Sequence, residues 1–256
     1  MKPKALVLQA HGSNRDFDVM DALSLAGADP TGIPLNELRT NHTLFNDFNL
    51  LVVPGGFSYA DALGAGKLLA LDLASYFADE IAVFVESGKP VIGICNGFQA
   101  LVKSGILPGN TNGQSTLTFN AQGHFECRWV NLTPVSQTCI WTKDLDEMIT
   151  CPIAHGEGNF QITDSFPLST FIAQDQIALT YTHADGSPAG EEYPMNPNGS
   201  ILDIAGICNP QGNVLGLMPH PENHIHLWQN PRHTRGEKTG SGLKLFENGV
   251  KYASQL

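Results

Sequence analysis

The residue with the clearest chemical potential in this sequence is Cys95, which lies between two glycines, Gly93 and Gly97. A short apolar run at 91–94 precedes it, and apolar residues at helical spacing follow it, which predicts a strand-to-helix turn. Such a turn has the setting of a nucleophile elbow, with sulfur where a hydrolase has a serine hydroxyl. The N–H groups at the start of the next helix favour the thiolate and can stabilise an oxyanion. The alternative is a buried structural cysteine, because free cysteine is among the most buried residue types.

A cysteine nucleophile needs a base, and the base needs a group that orients it. His220 and Glu222 lie two residues apart in a turn that follows a predicted strand at 213–217. Glu222 could accept a hydrogen bond from one imidazole nitrogen while the other nitrogen faces Cys95, which would favour the imidazolium. Taken alone, a His-Pro-Glu turn is more often an ordinary surface turn. The pair is therefore a catalytic candidate only in combination with Cys95.

A glycine pair, Gly55 and Gly56, follows another predicted strand at 48–54, and Phe57 comes directly after it. Glycines at a strand end leave backbone N–H groups free to point into a pocket. The N–H groups of Gly56 and Asn96 could therefore hold the oxyanion of a tetrahedral intermediate. An isolated glycine pair is more often a plain turn between a strand and a helix.

A further strand end carries His155, Gly156 and Glu157 within the stretch 153–160. Polar side chains and glycines at the end of a strand indicate a substrate-binding loop. An ordinary surface turn explains the pattern about equally well. We therefore keep these residues as candidates for substrate binding rather than for catalysis.

Two other patterns are weaker. Residues 63–67 resemble part of a phosphate-binding loop, but Leu68 stands where serine or threonine is required and Asp61 where the first glycine is required. Two histidines, His224 and His226, follow the His-Pro-Glu turn without a further obvious carboxylate ligand. We therefore predict solvated loop histidines and no metal site.

Composition excludes several classes of function. Of the 256 residues, 42% are hydrophobic and 15% are charged, as in an ordinary globular protein with a sizeable core. The formal net charge of -11 argues against nucleic acid or an anionic membrane surface as the main partner. No signal peptide or membrane span is recognisable. The five cysteines show no C-x-x-C spacing, which indicates neither a zinc site nor a disulfide framework and favours the reducing cytoplasm.

Strands that alternate with helices indicate an α/β fold with a parallel sheet, and we predict a single domain over residues 1–256. In such sheets the functional residues lie at the carboxyl ends of the strands. The predicted strands are 5–8, 48–54, 91–94, 124–132, 176–181, 201–207 and 213–217, and the stretch 153–160 is predicted to be a strand end followed by glycines. The predicted helices are 16–28, one or two helices in 63–87, the helix after Cys95, and 242–253. The remaining long segments are predicted to be a loop at 107–123, an exposed insertion at 184–200 and a polar loop at 223–241.

Several blocks of sequence together resemble a known family. Residues 93–99 with 219–222 resemble the class I, or triad, glutamine amidotransferases, which carry a Cys-His-Glu triad on a flavodoxin-like fold. Further blocks resemble the glutaminase subunit of phosphoribosylformylglycinamidine synthase, the PurQ type, at 12–18, 54–66, 154–160, 201–222 and 242–250. The resemblance implies a mostly parallel sheet with helices on both faces and with loop insertions. His11 departs from the pattern, because many members have proline there.

The resemblance also implies a glutaminase mechanism. Cys95 would attack the side-chain amide of L-glutamine, His220 would protonate the leaving ammonia, and Glu222 would orient His220. The residues implied to surround the substrate are Gly55, Phe57, Ser58, Gln99, His155, Gly156 and Glu157, with the oxyanion held at Gly56 and Asn96.

A division of labour between subunits follows from the same resemblance. The sequence shows no ATP-binding loop, so no cofactor is expected on this chain. ATP and Mg2+ are expected on a large synthetase subunit, often with a small third subunit, that uses the ammonia to make formylglycinamidine ribonucleotide in de novo purine biosynthesis. Two alternatives stay open, a free-standing cysteine hydrolase of the same fold and a non-catalytic regulatory subunit. The roles of Asn120, Glu126 and Arg128 are not assigned by the sequence.

Overall fold

The computed structural model describes residues 2–109, 115–163 and 168–256. The strands are β1 (Lys4–Gln9), β2 (Asp29–Pro34), β3 (Leu50–Val53), β4 (Val91–Ile94), β5 (Ser115–Thr118), β6 (Glu126–Pro134), β7 (Ile149–His155), β8 (Asn159–Ile162), β9 (Ile177–Thr182), β10 (Ile204–Cys208) and β11 (Val214–Leu217). The helices are α1 (Asp16–Leu25), α2 (Leu35–Thr40), α3 (Lys67–Tyr76), α4 (Ala78–Glu86), α5 (Asn96–Lys103), α6 (Leu168–Ala173) and α7 (Leu243–Ala253).

A nine-stranded sheet in the order β2-β1-β3-β4-β11-β10-β9-β6-β7 forms the centre of the molecule, and β5 pairs with β8 separately. The first five strands of that order are parallel, whereas each of the other four runs antiparallel to its neighbours. Every residue of β3, β4 and β11 is buried, as expected for parallel strands without a solvent face. Helix α1 packs on α7, and α3 packs on α5. The expected α/β class is confirmed.

The position of β4 between β3 and β11 decides where the predicted catalytic turns lie. Gly93 of β4 is in register with Val53 on one side and with Gly216 on the other. Because the three strands are parallel, their carboxyl ends lie at the same edge of the sheet. The turns that contain Gly55, Cys95 and His220 therefore start side by side.

Strands β2, β5 and β8 are missing from the sequence prediction. Strand β8 begins at Asn159, inside the stretch 153–160 that was predicted as a strand end followed by glycines. Strand β2 contains Pro30 and Pro34, which suppress the usual strand pattern, but proline is tolerated because β2 lies at the edge of the sheet. Strand β5 lies inside the segment predicted as a loop at 107–123, because its residues are mostly polar and it pairs with β8 alone. Residues 110–114 of that segment lie outside the described residues.

The prediction of an exposed insertion at 184–200 is wrong for its last part. Asn196, Asn198 and Ser200 are almost completely buried. The Asn196 amide donates to the carbonyl of Ser200 (2.7 Å) and to the carboxylate of Asp203 (3.0 Å), and the Ser200 hydroxyl oxygen accepts from the N–H of Phe160 (2.9 Å). Such buried polar residues have the composition of a loop although they belong to the core. The predicted strand at 201–207 accordingly begins only at Ile204.

None of the helices in the described ranges has the length and apolarity that crossing a bilayer requires.

Helix α5 packs so closely against the end of β3 that Gly97 has no room for a side chain. A Cβ at this position would lie 1.9 Å from the backbone oxygen of Val53, which cannot move aside as a flexible side chain can. We therefore expect Gly97→Ala to lower the free energy of unfolding by about 3 kcal/mol or more in urea denaturation.

The matched control for this variant is Gly32→Ala. A Cβ at Gly32 would lie 2.7 Å from the side-chain nitrogen of Gln9, which is the end of a flexible side chain. We expect a loss below about 1 kcal/mol for this control. Equal losses in the two variants would contradict the close packing of α5.

Candidate active site

Cys95 occupies a sharp turn directly between β4 and α5. Its φ of 51° lies in the left-handed region, which non-glycine residues adopt at a cost and which is common at functional sites. Its N–H donates to the carbonyl of Leu217 on β11 (2.8 Å), which fixes the turn against the neighbouring strand. The side chain is 4% exposed, and its Sγ lies 3.7 Å from the carbonyl oxygen of Ala154. The residue thus lies in the strand-to-helix turn that the glycine spacing predicts.

His220 and Glu222 lie in the turn that follows β11, and both side chains are buried. Nδ1 of His220 lies 2.7 Å from Oε1 of Glu222, so the imidazole donates to the carboxylate and keeps Nε2 for another partner. The N–H of His220 donates to the carbonyl of Pro152 (2.8 Å), which ties this turn to β7.

The side chains of Cys95 and His220 meet beside Gly55. The two side chains are close enough for the sulfur of Cys95 to act on the charge of the His220 imidazole. A Cβ at Gly55 would lie 2.8 Å from Cε1 of His220 and 3.4 Å from Cβ of Cys95, so a glycine is needed here. The structure therefore brings together the residues predicted as nucleophile, base and orienting acid, although they lie far apart in the chain.

The charge state of His220 follows from these neighbours. Burial by itself lowers the pKa of a histidine, but the carboxylate of Glu222 and the sulfur of Cys95 outweigh this effect and raise the pKa of His220 to about 10. The imidazolium is therefore the favoured form at neutral pH. A protonated imidazole beside the sulfur can stabilise a thiolate and can give a proton to a departing amine.

The predicted oxyanion site lies between the turn after β3 and the start of α5. Gly56 has a φ of 127°, which strongly favours glycine. The side-chain oxygen of Asn96 accepts from the hydroxyl (2.5 Å) and the N–H (3.2 Å) of Ser58, and its amide donates to Asp61 (2.9 Å). These bonds hold the turn against α5, whose first N–H groups have no partner within the helix. The N–H groups of Gly56 and Asn96 stay the candidates for an oxyanion hole.

A cavity of about 150 Å³ lies beside Cys95, a size suited to a small substrate. It is lined by Gly56, Phe57, Asp61, Ala65, Cys95, Gln99, Phe119, Phe125, Ala154, His155, Gly156 and Glu157. The predicted site residues Gly55, Ser58 and Asn96 are not among the residues that line it. A larger groove of about 600 Å³ beside α3 and α4 contains none of the predicted site residues.

Ser58 and Gln99 have side chains that are bonded within the protein. The Ser58 hydroxyl donates to Asn96, and Gln99 donates through Nε2 to the carbonyl of Glu157 (2.7 Å) and accepts through Oε1 from Asn96 (3.1 Å). Both side chains therefore hold the pocket wall in place. Their direct contact with a substrate stays a prediction.

Lys103, which the sequence analysis does not single out, completes this wall. Its Nζ donates to the carbonyl of Ala65 (2.5 Å) and lies 3.2 Å from Oε2 of Glu157, whose Oε1 accepts from the N–H of Ala65 (3.1 Å). Gln99 and Lys103 lie four and eight residues after Cys95. This helical spacing is the signal that could have identified the lysine, because residues four apart share one face of a helix.

His155 lines the pocket as a neutral side chain. Burial, reinforced by the charge of His220, lowers the pKa of His155 to about 3. Its Nδ1 donates to Oδ1 of Asn120 (3.1 Å), and the Asn120 amide donates to the carbonyls of His155 (2.8 Å) and His124 (3.0 Å). Asn120, unassigned from the sequence, thus fastens the loop after β7 to the turn before β6.

The other two unassigned residues form an ion pair at the start of β6. The Glu126 carboxylate is almost completely buried, and its oxygens lie 2.8 Å from Nε of Arg128 and 2.9 Å from Nε2 of His124. The guanidinium of Arg128 also lies over the ring of Tyr193, 4.7 Å from its centroid. These contacts attach the segment around residue 193 to the sheet.

The prediction that His224 is a solvated loop residue is wrong. His224 is completely buried, its Nδ1 donates to the carbonyl of Thr150 (2.5 Å), and its ring lies edge-on to Trp129. It therefore anchors the start of the 223–241 loop to the sheet. His226 is partly exposed and stacks on Trp228.

Comparison with known proteins identifies the family. Residues 2–253 match the CobB/CobQ-like glutamine amidotransferase domain. The sequence is 53% identical to the phosphoribosylformylglycinamidine synthase subunit PurQ of Treponema denticola, across 98% of this chain and 99% of that protein. The chain belongs to the PurQ family.

Other members of the PurQ family show the same full-length similarity. PurQ of Dehalococcoides mccartyi is 42% identical across all of this chain and 99% of its own length. A chain in the structure of PurLQS from Thermotoga maritima matches with a TM-score of 0.76 and 33% identity, covering 98% of this chain and 99% of that one. The family and fold that the sequence resemblance implies are thereby confirmed.

The electrostatic arrangement can be tested by removing the charge of Glu222. Glu222→Gln keeps the shape of the side chain but removes the carboxylate that raises the pKa of His220. We expect this pKa to fall from about 10 toward neutrality in an NMR titration of the His220 ring. We also expect the glutaminase kcat to fall by about 100-fold, because less imidazolium is present to protonate the leaving group.

The matched control is Glu126→Gln, which also removes a buried carboxylate that contacts a histidine. It should leave the titration of His220 unchanged. If His220 titrates in the Glu222→Gln variant as it does in the wild type, the electrostatic account of this pair is wrong.

Proposed function

We propose that this chain is the glutaminase subunit of phosphoribosylformylglycinamidine synthase and that Cys95, His220 and Glu222 hydrolyse L-glutamine. The observation that carries the proposal is the meeting of these three side chains at the carboxyl ends of neighbouring strands. Membership of the PurQ family supports it. One domain over residues 1–256 suffices for this reaction, since the family match covers residues 2–253.

The first half of the reaction forms a thioester. The Cys95 thiolate attacks the carbon of the side-chain amide, a C–S bond forms, and the carbonyl oxygen becomes an oxyanion. The N–H groups of Gly56 and Asn96 hold that oxygen. The C–N bond then breaks while the imidazolium of His220 gives its proton to the nitrogen, which leaves as ammonia.

The second half of the reaction releases glutamate. His220, now neutral, takes a proton from water, and the water oxygen attacks the thioester carbon. The C–S bond breaks, glutamate leaves, and the thiolate and imidazolium are restored. Throughout the cycle Glu222 accepts from Nδ1 of His220, which leaves Nε2 free to exchange the proton.

The ammonia is consumed by a partner. The similarity to a chain of PurLQS supports assembly with a synthetase subunit and a small third subunit. We place ATP and Mg2+ on the synthetase, where formylglycinamide ribonucleotide is converted to the amidine. The reducing cytoplasm is the compartment that suits the five scattered cysteines.

The two alternative functions have less support. A free-standing cysteine hydrolase does not account for the full-length similarity to subunits of a synthase. A non-catalytic regulatory subunit has no need of a buried His220–Glu222 pair beside a cysteine.

Cys95→Ala separates the two activities of the complex. We expect glutamine-dependent synthesis of the amidine by the reconstituted complex to fall by at least about 1,000-fold, because no thioester can form. Synthesis from added ammonium should stay near the wild-type rate, since the synthetase site is untouched.

Cys127→Ala is the matched control, because Cys127 is an exposed cysteine outside the pocket. It should retain both activities. Glutamine-dependent synthesis that survives in the Cys95→Ala complex would show that another group is the nucleophile.

A further inference from the structure

The pocket beside Cys95 has an unbalanced charge. Within the described ranges, the carboxylates that line it are Asp61 and Glu157, and no lysine or arginine lines it. Glu157 is already satisfied, because Lys103 and the N–H of Ala65 bind its two oxygens. The carboxylate of the pocket that no cation contacts is therefore that of Asp61.

Asp61 has only neutral partners at close range. Its Oδ1 accepts from the amide of Asn96 (2.9 Å), and no lysine, arginine or histidine nitrogen in the part of the chain that the structure describes lies within 4.0 Å of its carboxylate. The φ values of Tyr59, Ala60 and Asp61 are 54°, 55° and 53°. Three successive non-glycine residues with positive φ raise the conformational free energy of this turn. The rest of the fold must therefore stabilise the turn that places the Asp61 carboxylate at the pocket.

L-Glutamine carries a charge that complements this pocket. When its side-chain amide lies at Cys95, its other end, with an α-ammonium and an α-carboxylate, must lie elsewhere in the same cavity. An ammonium group that is taken out of water is costly unless a carboxylate faces it. We propose that Asp61 binds the α-ammonium group of L-glutamine and thereby selects an α-amino acid as the substrate, an inference that rests on the proposed glutaminase function.

The electrostatics of Asp61 agree with this assignment. Burial raises the pKa of Asp61, and the negative charge of Glu157 adds to the rise, which outweighs the lowering effects of the hydrogen bonds from Asn96 and Gly66 and of the more distant charge of Lys103. A cation placed beside the carboxylate would offset both raising effects. The α-ammonium of the substrate is such a cation.

The first test uses the wild-type chain in its complex with the synthetase subunit. The kcat/KM is measured for L-glutamine and for 4-carbamoylbutanoate, which is glutamine without its α-amino group. We expect kcat/KM to be at least about 100-fold lower for the analogue, because the charge of Asp61 is then left unpaired. Equal values for the two substrates would overturn the inference. Hydrolysis of neither substrate would overturn the proposed function on which it rests.

The second test is Asp61→Asn, which keeps an oxygen for the Asn96 bond but removes the charge. We expect KM for L-glutamine to rise by about 10- to 100-fold while kcat changes less than about threefold. The kcat/KM for the analogue should rise, because the variant no longer buries an unpaired charge, so the preference for the α-amino group collapses. Asp61→Glu, which restores a carboxylate, should recover part of that preference. An equal loss on both substrates would indicate a merely structural role and would overturn the inference.

Asp72→Asn is the matched control. Asp72 accepts from the hydroxyl of Tyr59 in the same turn but does not line the pocket. It should leave KM for L-glutamine and the preference between the two substrates unchanged, and a collapse of the preference in this variant would overturn the inference. Synthesis from added ammonium reports whether each variant complex assembles. If the Asp61→Asn complex does not assemble, the inference is decided by the first test, which compares the two substrates on the wild-type complex.

Discussion

The burial of the Glu222 carboxylate beside His220 is the constraint on which the site depends. Glu222 is completely buried, and its second oxygen has no hydrogen-bond donor among the residues that the structure describes. A carboxylate in this setting is costly unless a cation faces it. The imidazolium of His220 is that cation. The contact that makes the buried carboxylate tolerable therefore also keeps a proton beside the sulfur of Cys95, where the reaction needs it.

The sheet and its turns deliver the sulfur to this imidazolium. Strand β4 lies between the strands that carry the Gly55 turn and the His220 turn, so three strand ends share one edge of the sheet. The absence of side chains at Gly55 and Gly97 lets the imidazole approach the sulfur and lets α5 approach β3. Asn96 then holds the turn after β3 against α5 through its hydrogen bonds. The catalytic turns are thus positioned both by the register of the strands and by a buried network of polar side chains.

The central strands were predictable because parallel strands that are buried on both faces read as continuous apolar runs, as at 91–94 and 213–217. The sequence prediction failed where the composition of a segment does not indicate whether the folded protein buries it. The polar residues at 196–200 have the composition of an exposed loop, but the protein satisfies them in its interior. The setting of Cys95 was predictable because its glycine spacing is local. The part played by Lys103 was not, because it depends on contact with Glu157, a residue from a distant part of the chain.

The central claim is that the fold activates Cys95 alone among the five cysteines toward a glutamine side chain. The most direct test is to treat the wild-type complex with 6-diazo-5-oxo-L-norleucine, a glutamine-like electrophile, and to locate the label by peptide mass spectrometry. The account predicts a label on Cys95, suppressed by excess L-glutamine, and none on the exposed Cys127. Preferential labelling of Cys127, or labelling of Cys95 that L-glutamine does not suppress, would contradict it.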